Sequence, residues 1–178
     1  MLYCRMMMRI RDTRRALGGG AMAERKPQVA KWLDTSRQFL FKTVEAVRDE
    51  DWSRVAHSDH MGWTVRDVLS HVTGAEPGLT AIVTRAQAEG GYVPRPDFDL
   101  DFFNRRQVEK RAEKQPADLL AEMESNRAAT IKLLTDLPEA ALDLPVRHPT
   151  YGDMTVEDIF RIIGFHERLH AEEIRRAT

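Results

Sequence analysis

The sequence predicts an all-α protein: a four-helix bundle with a short extra helical piece before the third long helix. Three observations predict it. Apolar residues recur at three- and four-residue steps along four stretches of the chain, the period of a helix with one buried face. Alternation at period two is absent, so no strands are expected. Two of the stretches open on a T-x-x-D pattern, Thr64 to Asp67 and Thr155 to Asp158, the signature of a helix N-terminus whose side chains bond back onto its first turn.

The first helix is expected from about Lys26 to Arg48, with Val29, Leu33, Leu40, Val44 and Val47 as its stripe. A polar linker with Asp59, His60 and Gly62 follows. The second starts at Thr64 and carries Val65, Val68, Val72, Ala75, Leu79 and Ile82 on one face. Gly74, Pro77 and Gly78 interrupt it; Pro77 removes a backbone donor and is expected to kink or split the helix. Gly90 and Gly91 stop it. After a loop with Pro94 and Pro96 comes the charged piece, about Leu100 to Lys114. Pro116 suits the first position of the third long helix, whose stripe is Leu120, Met123, Ile131, Leu134 and Leu137. The last helix begins at Thr155. Val156, Ile159, Ile163, His166, His170 and Ile174 form its inward stripe.

Val55, His57, Thr64, Val65 and Asp67 match Val146, His148, Thr155, Val156 and Asp158 at a constant offset of 91. The match reads either as shared capping chemistry or as two helical hairpins related by a pseudo-two-fold axis.

Residues 1–21 do not share this patterning. They hold five arginines, three consecutive methionines and three consecutive glycines, without the longer apolar core of a signal peptide. They are expected to be a disordered tail or the product of a misassigned start with true translation from Met22, rather than an amphipathic targeting segment. The bundle domain is taken as 22–178.

Hydrophobic residues make up 42% of the 178-residue chain and charged residues 31%, with a formal net charge of −1. Nothing marks the whole surface as a binder of nucleic acid or anionic membrane, and no apolar run approaches the roughly 18–20 residues of a bilayer span. The lone cysteine, Cys4, cannot form an internal disulfide, so a cytoplasmic location is expected. Expected partners are a small-molecule substrate and, at most, a second copy as a homodimer; no nucleic acid and no membrane are expected.

His166 and His170 lie four residues apart, on one helix face and about 6 Å apart along the axis. One ring nitrogen from each can reach a common metal. His71, beside Val68 and Ala75 on the second helix, is the best third ligand. Three imidazoles leave a coordination position open, as in a catalytic rather than a structural site. The plainer alternative is hydrogen-bonded core histidines. Two such rings on one apolar stripe are harder to bury without partners than one. His57, His60 and His148 fall in linkers and are read as surface residues.

His166-Glu167-Arg168-Leu169-His170 also matches H-E-x-x-H, where the glutamate is the general base of a zinc protease. Those enzymes take a third ligand from further downstream, and only eight residues follow His170. No strand precedes the motif to bind a peptide, so the protease reading is weak. Glu167 is turned about 100° from His166 around the helix and is read as a solvated surface acid. Asn126 and Arg127 interrupt the third stripe, placed to meet a polar substrate or, for Arg127, to snorkel to solvent. No catalytic residue is assigned.

With these residues in hand, the sequence resembles the DinB-like superfamily of small bacterial metal-binding bundles. Gly62-Trp63-Thr64-Val65-Arg66-Asp67-Val68-Leu69-Ser70-His71 resembles the family's entry into helix two with its first histidine. Gly152 to Asp158 resembles its entry into the last helix, and His166 and His170 fall on its H-x-x-x-H pair. The resemblance covers about Gln28 to Arg176. It implies the bundle fold and one divalent ion, such as zinc, nickel, iron or cobalt, on His71, His166 and His170. The family often has Gln where this chain has Glu173, which puts a shared supporting role there in question. Relatives include bacillithiol- and mycothiol-dependent transferases and the mycothiol-dependent maleylpyruvate isomerase. The resemblance thus implies thiol transfer or isomerisation with bacillithiol or mycothiol as co-substrate, the metal favouring the nucleophilic thiolate. The rival from another class is a non-enzymatic metal-binding stress-response or sensor module.

Overall fold

The structure, a computed structural model, describes residues 25–57 and 62–178. The tail expected over 1–21, His60 and the side chain of His57 lie outside the described residues. Five helices are described: α1 (Arg25–Glu45), α2 (Val65–Glu89), α3 (Leu100–Glu109), α4 (Pro116–Asp136) and α5 (Val156–Ala177). The four long ones form the bundle and α3 is the short extra piece, as the periodicity predicts. The charged piece ends earlier than expected, its last residues forming turns rather than helix.

The T-x-x-D signals act as expected. Thr64 Oγ1 accepts from the Asp67 amide, and Asp67 Oδ2 accepts from the Thr64 amide at 3.0 Å. Thr155 and Asp158 repeat this at the start of α5. Each arrangement satisfies helix donors that would otherwise lack partners.

The expectation of no strands is corrected. β1 (Val55–His57) pairs antiparallel with β2 (Trp63–Thr64), and β3 (Pro145–His148) with β4 (Gly152–Thr155). Strands of two to four residues are too short to print a period of two in the sequence. These hairpins occupy the two copies of the offset-91 match. Each leads through a threonine cap into a long helix, so the repeat is a repeated hairpin–cap–helix unit.

The expected split at Pro77 is also corrected, since α2 runs through it as one helix. Proline cannot donate to Thr73 O, its i−4 carbonyl. Asn126 Nδ2 of α4 donates to that oxygen instead at 3.0 Å. Gly74 and Gly78 have a packing reason. A Cβ on Gly74 would come within 2.7 Å of Gln107 Cβ, and one on Gly78 within 2.9 Å of the Phe103 ring. Bare backbone at these two positions lets α3 lie against α2.

α5 packs against α1 and α2, α2 packs against α4, and α1 and α4 form the weakest of the four neighbouring contacts. The cyclic order is therefore α1, α5, α2, α4, with the first and last helices as neighbours. β1 contacts α5, and Arg54 bonds to Ala177 O, so the start of α2 lies beside the end of α5. The apolar core falls into two clusters. One gathers Leu33, Leu79, Val83, Leu134, Phe160 and Ile163; the other gathers Leu40, Val68, Leu69, Leu119, Met123 and Ile174. Among the described residues no helix is long and apolar enough to cross a membrane.

Candidate metal centre

The antiparallel contact of α2 and α5 brings the three predicted histidines together. His71 sits two turns into α2, fixed in depth by the Thr64 cap. His71 Nε2 lies 2.9 Å from His166 Nε2, and His170 Nε2 lies 3.1 Å from the same atom. The three candidate ligand atoms all fall within 4.8 Å of one another. His71 and His170 are buried, and His166 is partly so. Trp63 of β2 lies against the His71 ring, centroid to centroid 4.8 Å.

The donor set fits a divalent ion. A metal–nitrogen distance of about 2.0–2.1 Å separates neighbouring ligand nitrogens by about 2.9 Å at right angles and about 3.4 Å at tetrahedral angles. The His71–His166 and His166–His170 spacings lie in or at the edge of that range. His170 Nδ1 lies 2.6 Å from Glu173 Oε2. Nδ1–H donates to the carboxylate, which leaves the lone pair on Nε2, the nitrogen facing the other two rings. Burial, followed by the neighbouring His170, His71 and His148, holds His166 well below the usual histidine range. It is neutral at physiological pH, as a ligand must be. Glu173, where the family often has Gln, thus makes a direct hydrogen bond to the ring of His170.

Glu167 is corrected outright. It is 2% exposed and lies in a buried layer with one residue from each long helix. Arg37 of α1 reaches Glu76 of α2 at 2.6 Å and Glu167 of α5 at 2.7 Å. Arg127 of α4 reaches the same two carboxylates at 2.8 and 2.9 Å. Arg37 also donates to Met123 O at 2.6 Å, and Arg127 to Leu33 O. Two positive and two negative charges cancel in the layer that separates the two apolar clusters. Burial pushes the Glu167 carboxyl up, against the pull of Arg127 and Arg37. Arg127 does not snorkel, and Asn126 serves the Thr73 carbonyl. A cavity of about 480 Å3 opens between α1 and α4, with Arg37, Phe41, Arg127 and Ile131 among its lining. None of the three histidines lines it.

His148, read as a surface residue, is buried on β3. Its Nδ1 accepts from the Thr150 and Tyr151 amides at 3.1 and 3.4 Å, and its ring lies 4.6 Å from that of Tyr151. Burial lowers its pKa to about 4. The sequence signal was its place beside the β3–β4 cap, where a ring nitrogen can tie the turn.

The comparisons with known proteins agree with this architecture. Solved structures of the same fold include YfiT from Bacillus subtilis, described as a probable metal-dependent hydrolase with an unusual four-helix bundle topology. It has a TM-score of 0.71 and 21% identity, over 89% of each chain. A mutant of the mycothiol-dependent maleylpyruvate isomerase has a TM-score of 0.68 and 11% identity, over 84% of this chain and 60% of that one. The colibactin self-resistance protein ClbS, solved in complex with a dsDNA, has a TM-score of 0.67 and 13% identity, over 85% of this chain and 94% of that one. At these identities the likeness is one of fold. No curated protein sequence matches. The ClbS complex overturns the expectation of no nucleic acid. A net charge of −1 averages the whole surface, whereas a nucleic-acid contact depends on a local patch, so neither fold nor charge excludes such a partner. The DinB superfamily model matches residues 33–174, from α1 into the last turns of α5 and through all three histidines, and the chain belongs to that superfamily.

Proposed function

We propose that the chain is a metal-dependent enzyme that holds one divalent ion on His71, His166 and His170. Zinc, nickel and iron are the candidates. It would act on a small molecule by transfer or isomerisation, with bacillithiol or mycothiol as co-substrate. The observation that carries this reading is the approach of His71 Nε2 and His170 Nε2, from two helices, to His166 Nε2 at 2.9 and 3.1 Å. In the bound state such an ion supplies Lewis acidity and favours the thiolate of a thiol at neutral pH. Burial favours the neutral form of His166, and Glu173 fixes the tautomer of His170. Trp63 bounds the site beside His71. Glu167 Oε1 is held by Arg37 and Arg127 in the buried layer, which speaks against the free general base that a protease of the H-E-x-x-H kind requires. The maleylpyruvate isomerase of the same fold is named for its mycothiol dependence, which supports the choice of thiol.

The test incubates metal-loaded protein with bacillithiol, mycothiol, glutathione and cysteine, each against a halogenated aromatic, an epoxide, a bimane and maleylpyruvate. Consumption of one bacterial thiol above the uncatalysed rate is expected, with loss in His166→Ala. A second reading, a metal-binding module without turnover, draws on the cavity between α1 and α4, which lies apart from the histidines. Identical behaviour of metal-loaded and metal-free protein toward every pair would replace the enzyme reading with the module.

A further inference from the structure

The cleft between α1 and α4 opens where the weakest of the four neighbouring helix contacts lies. Its volume of about 480 Å3 is that of a cavity able to take a small molecule. Arg37 and Arg127 of the buried charged layer line it, with side chains 5% and 9% exposed. A guanidinium has five N–H donors, two of them on Nη1. Arg37 Nη1 bonds the Met123 carbonyl alone, and Arg127 Nη1 the Leu33 carbonyl alone. Each arginine thus keeps one Nη1–H without an acceptor among the described residues, on a buried side chain that borders a cavity. Buried donors ordinarily find an acceptor.

The layer holds two charges of each sign, so the floor of the cleft offers donors without net charge. A neutral oxygen suits them, whereas an anion would add its charge to those of Glu76 and Glu167. Phe41 and Ile131, half-buried, form an apolar lining above the floor. The exposed rim sets three acids, Asp34, Glu45 and Glu124, against one lysine, Lys42, a surplus of two negative charges. Asp34 accepts from Gln38 at 2.9 Å, and among the described residues none of the four rim charges forms an ion pair. A cleft rimmed by one sign of charge gathers ligands of the other.

We propose that this cleft is a second ligand site, for a small organic cation. A neutral carbonyl or hydroxyl oxygen accepts from Arg37 and Arg127, an apolar chain lies on Phe41 and Ile131, and an ammonium meets the acidic rim. None of the three histidines lines the cleft, and the proposal does not depend on a metal there.

The test titrates the full chain with ε-aminocaproamide, which carries all three features, and follows backbone amide shifts by NMR. Hexanamide lacks its ammonium, adipamate carries a carboxylate instead, and hexylamine lacks the carbonyl. Saturable shifts are expected along α1 and α4 around Phe41 and Ile131. Each analogue is expected to bind about threefold more weakly or worse, as for loss of one exposed charge pair or one hydrogen bond. Asp34→Asn combined with Glu124→Gln alters exposed side chains alone. It is expected to weaken ε-aminocaproamide about threefold or more and to leave hexanamide within about twofold of wild type. Ile131→Trp fills the cleft and is expected to remove binding, with thermal melts to check that each variant folds. No saturable shift along α1 and α4 would overturn the proposal and leave water as the acceptor for the two arginines. An analogue that binds as tightly as ε-aminocaproamide, or a rim variant that binds it as wild type does, would overturn it equally.

Discussion

Replacing Arg127 by Met removes one of two cations from a buried layer of four charges. Arg127 is 8% exposed, Glu76 4% and Glu167 2%, so water cannot take over. The guanidinium bonds Glu76 Oε1 at 2.8 Å, Glu167 Oε1 at 2.9 Å and the Leu33 carbonyl. In its absence two carboxylates share Arg37 alone. Methionine fills most of the volume, so the loss reports charge rather than a void. Breaking a buried ion pair from one side costs about 3–5 kcal/mol, which for a chain of this size lowers the melting temperature by roughly 10 °C. Adding Glu76→Gln restores neutrality, leaving Arg37 paired with Glu167 at 2.7 Å. The double variant should recover about 2 kcal/mol relative to the sum of the single ones. The assay is thermal and urea unfolding of metal-free protein at pH 7. The loss should persist in high salt because the layer is buried. A loss under about 1 kcal/mol, or a double variant that behaves additively, would refute the reasoning.

Glu173→Ala should weaken metal binding about 10–100-fold by calorimetry, since Glu173 Oε2 holds His170 Nδ1 at 2.6 Å and such supports typically matter to that extent; unchanged affinity would remove the support. Asn126→Ala should lower stability by about 1–2 kcal/mol, because Asn126 serves the Thr73 carbonyl at 3.0 Å. The same change should matter less in Pro77→Ala, where a restored amide can reach that oxygen; equal losses in both backgrounds would contradict this. Metal-free protein should lose stability as pH falls. Burial lowers His148 from 6.5 to about 4, so the unfolded chain binds the proton first. Its contribution is whole above pH 6.5 and lost as pH falls through about 4, up to about 3 kcal/mol. Urea titrations across that window should show a shallower slope in His148→Asn, and identical slopes would refute the assignment.

The bundle was legible because each long helix carries a stripe at helical spacing and two of them carry a written cap. The three histidines were legible for the same reason, since two lie on the stripe of α5 and one flanks that of α2. The charged layer was less legible, although its residues sit in stripe positions. Arg37 stands between Leu33 and Leu40, Glu76 between Val72 and Leu79, Arg127 between Met123 and Thr130, and Glu167 between Ile163 and His170. Each alone reads as a stripe edge or an exposed charge. Only the packing of four helices reveals two charges of each sign at one level. Glu167 was placed on the surface because an angle around its own helix ignores α1 and α4 on the far side. His148 was misplaced because burial of a linker residue depends on a hairpin too short to carry a pattern.

The central claim is tested most directly by metal content. Protein produced without chelator should carry close to one divalent ion per chain by elemental analysis. His71→Ala, His166→Ala and His170→Ala should each lose most of it while folding to a bundle by circular dichroism, and His148→Asn should keep it. A wild-type protein that takes up no divalent ion, or a His71→Ala variant that retains full occupancy, would contradict the account.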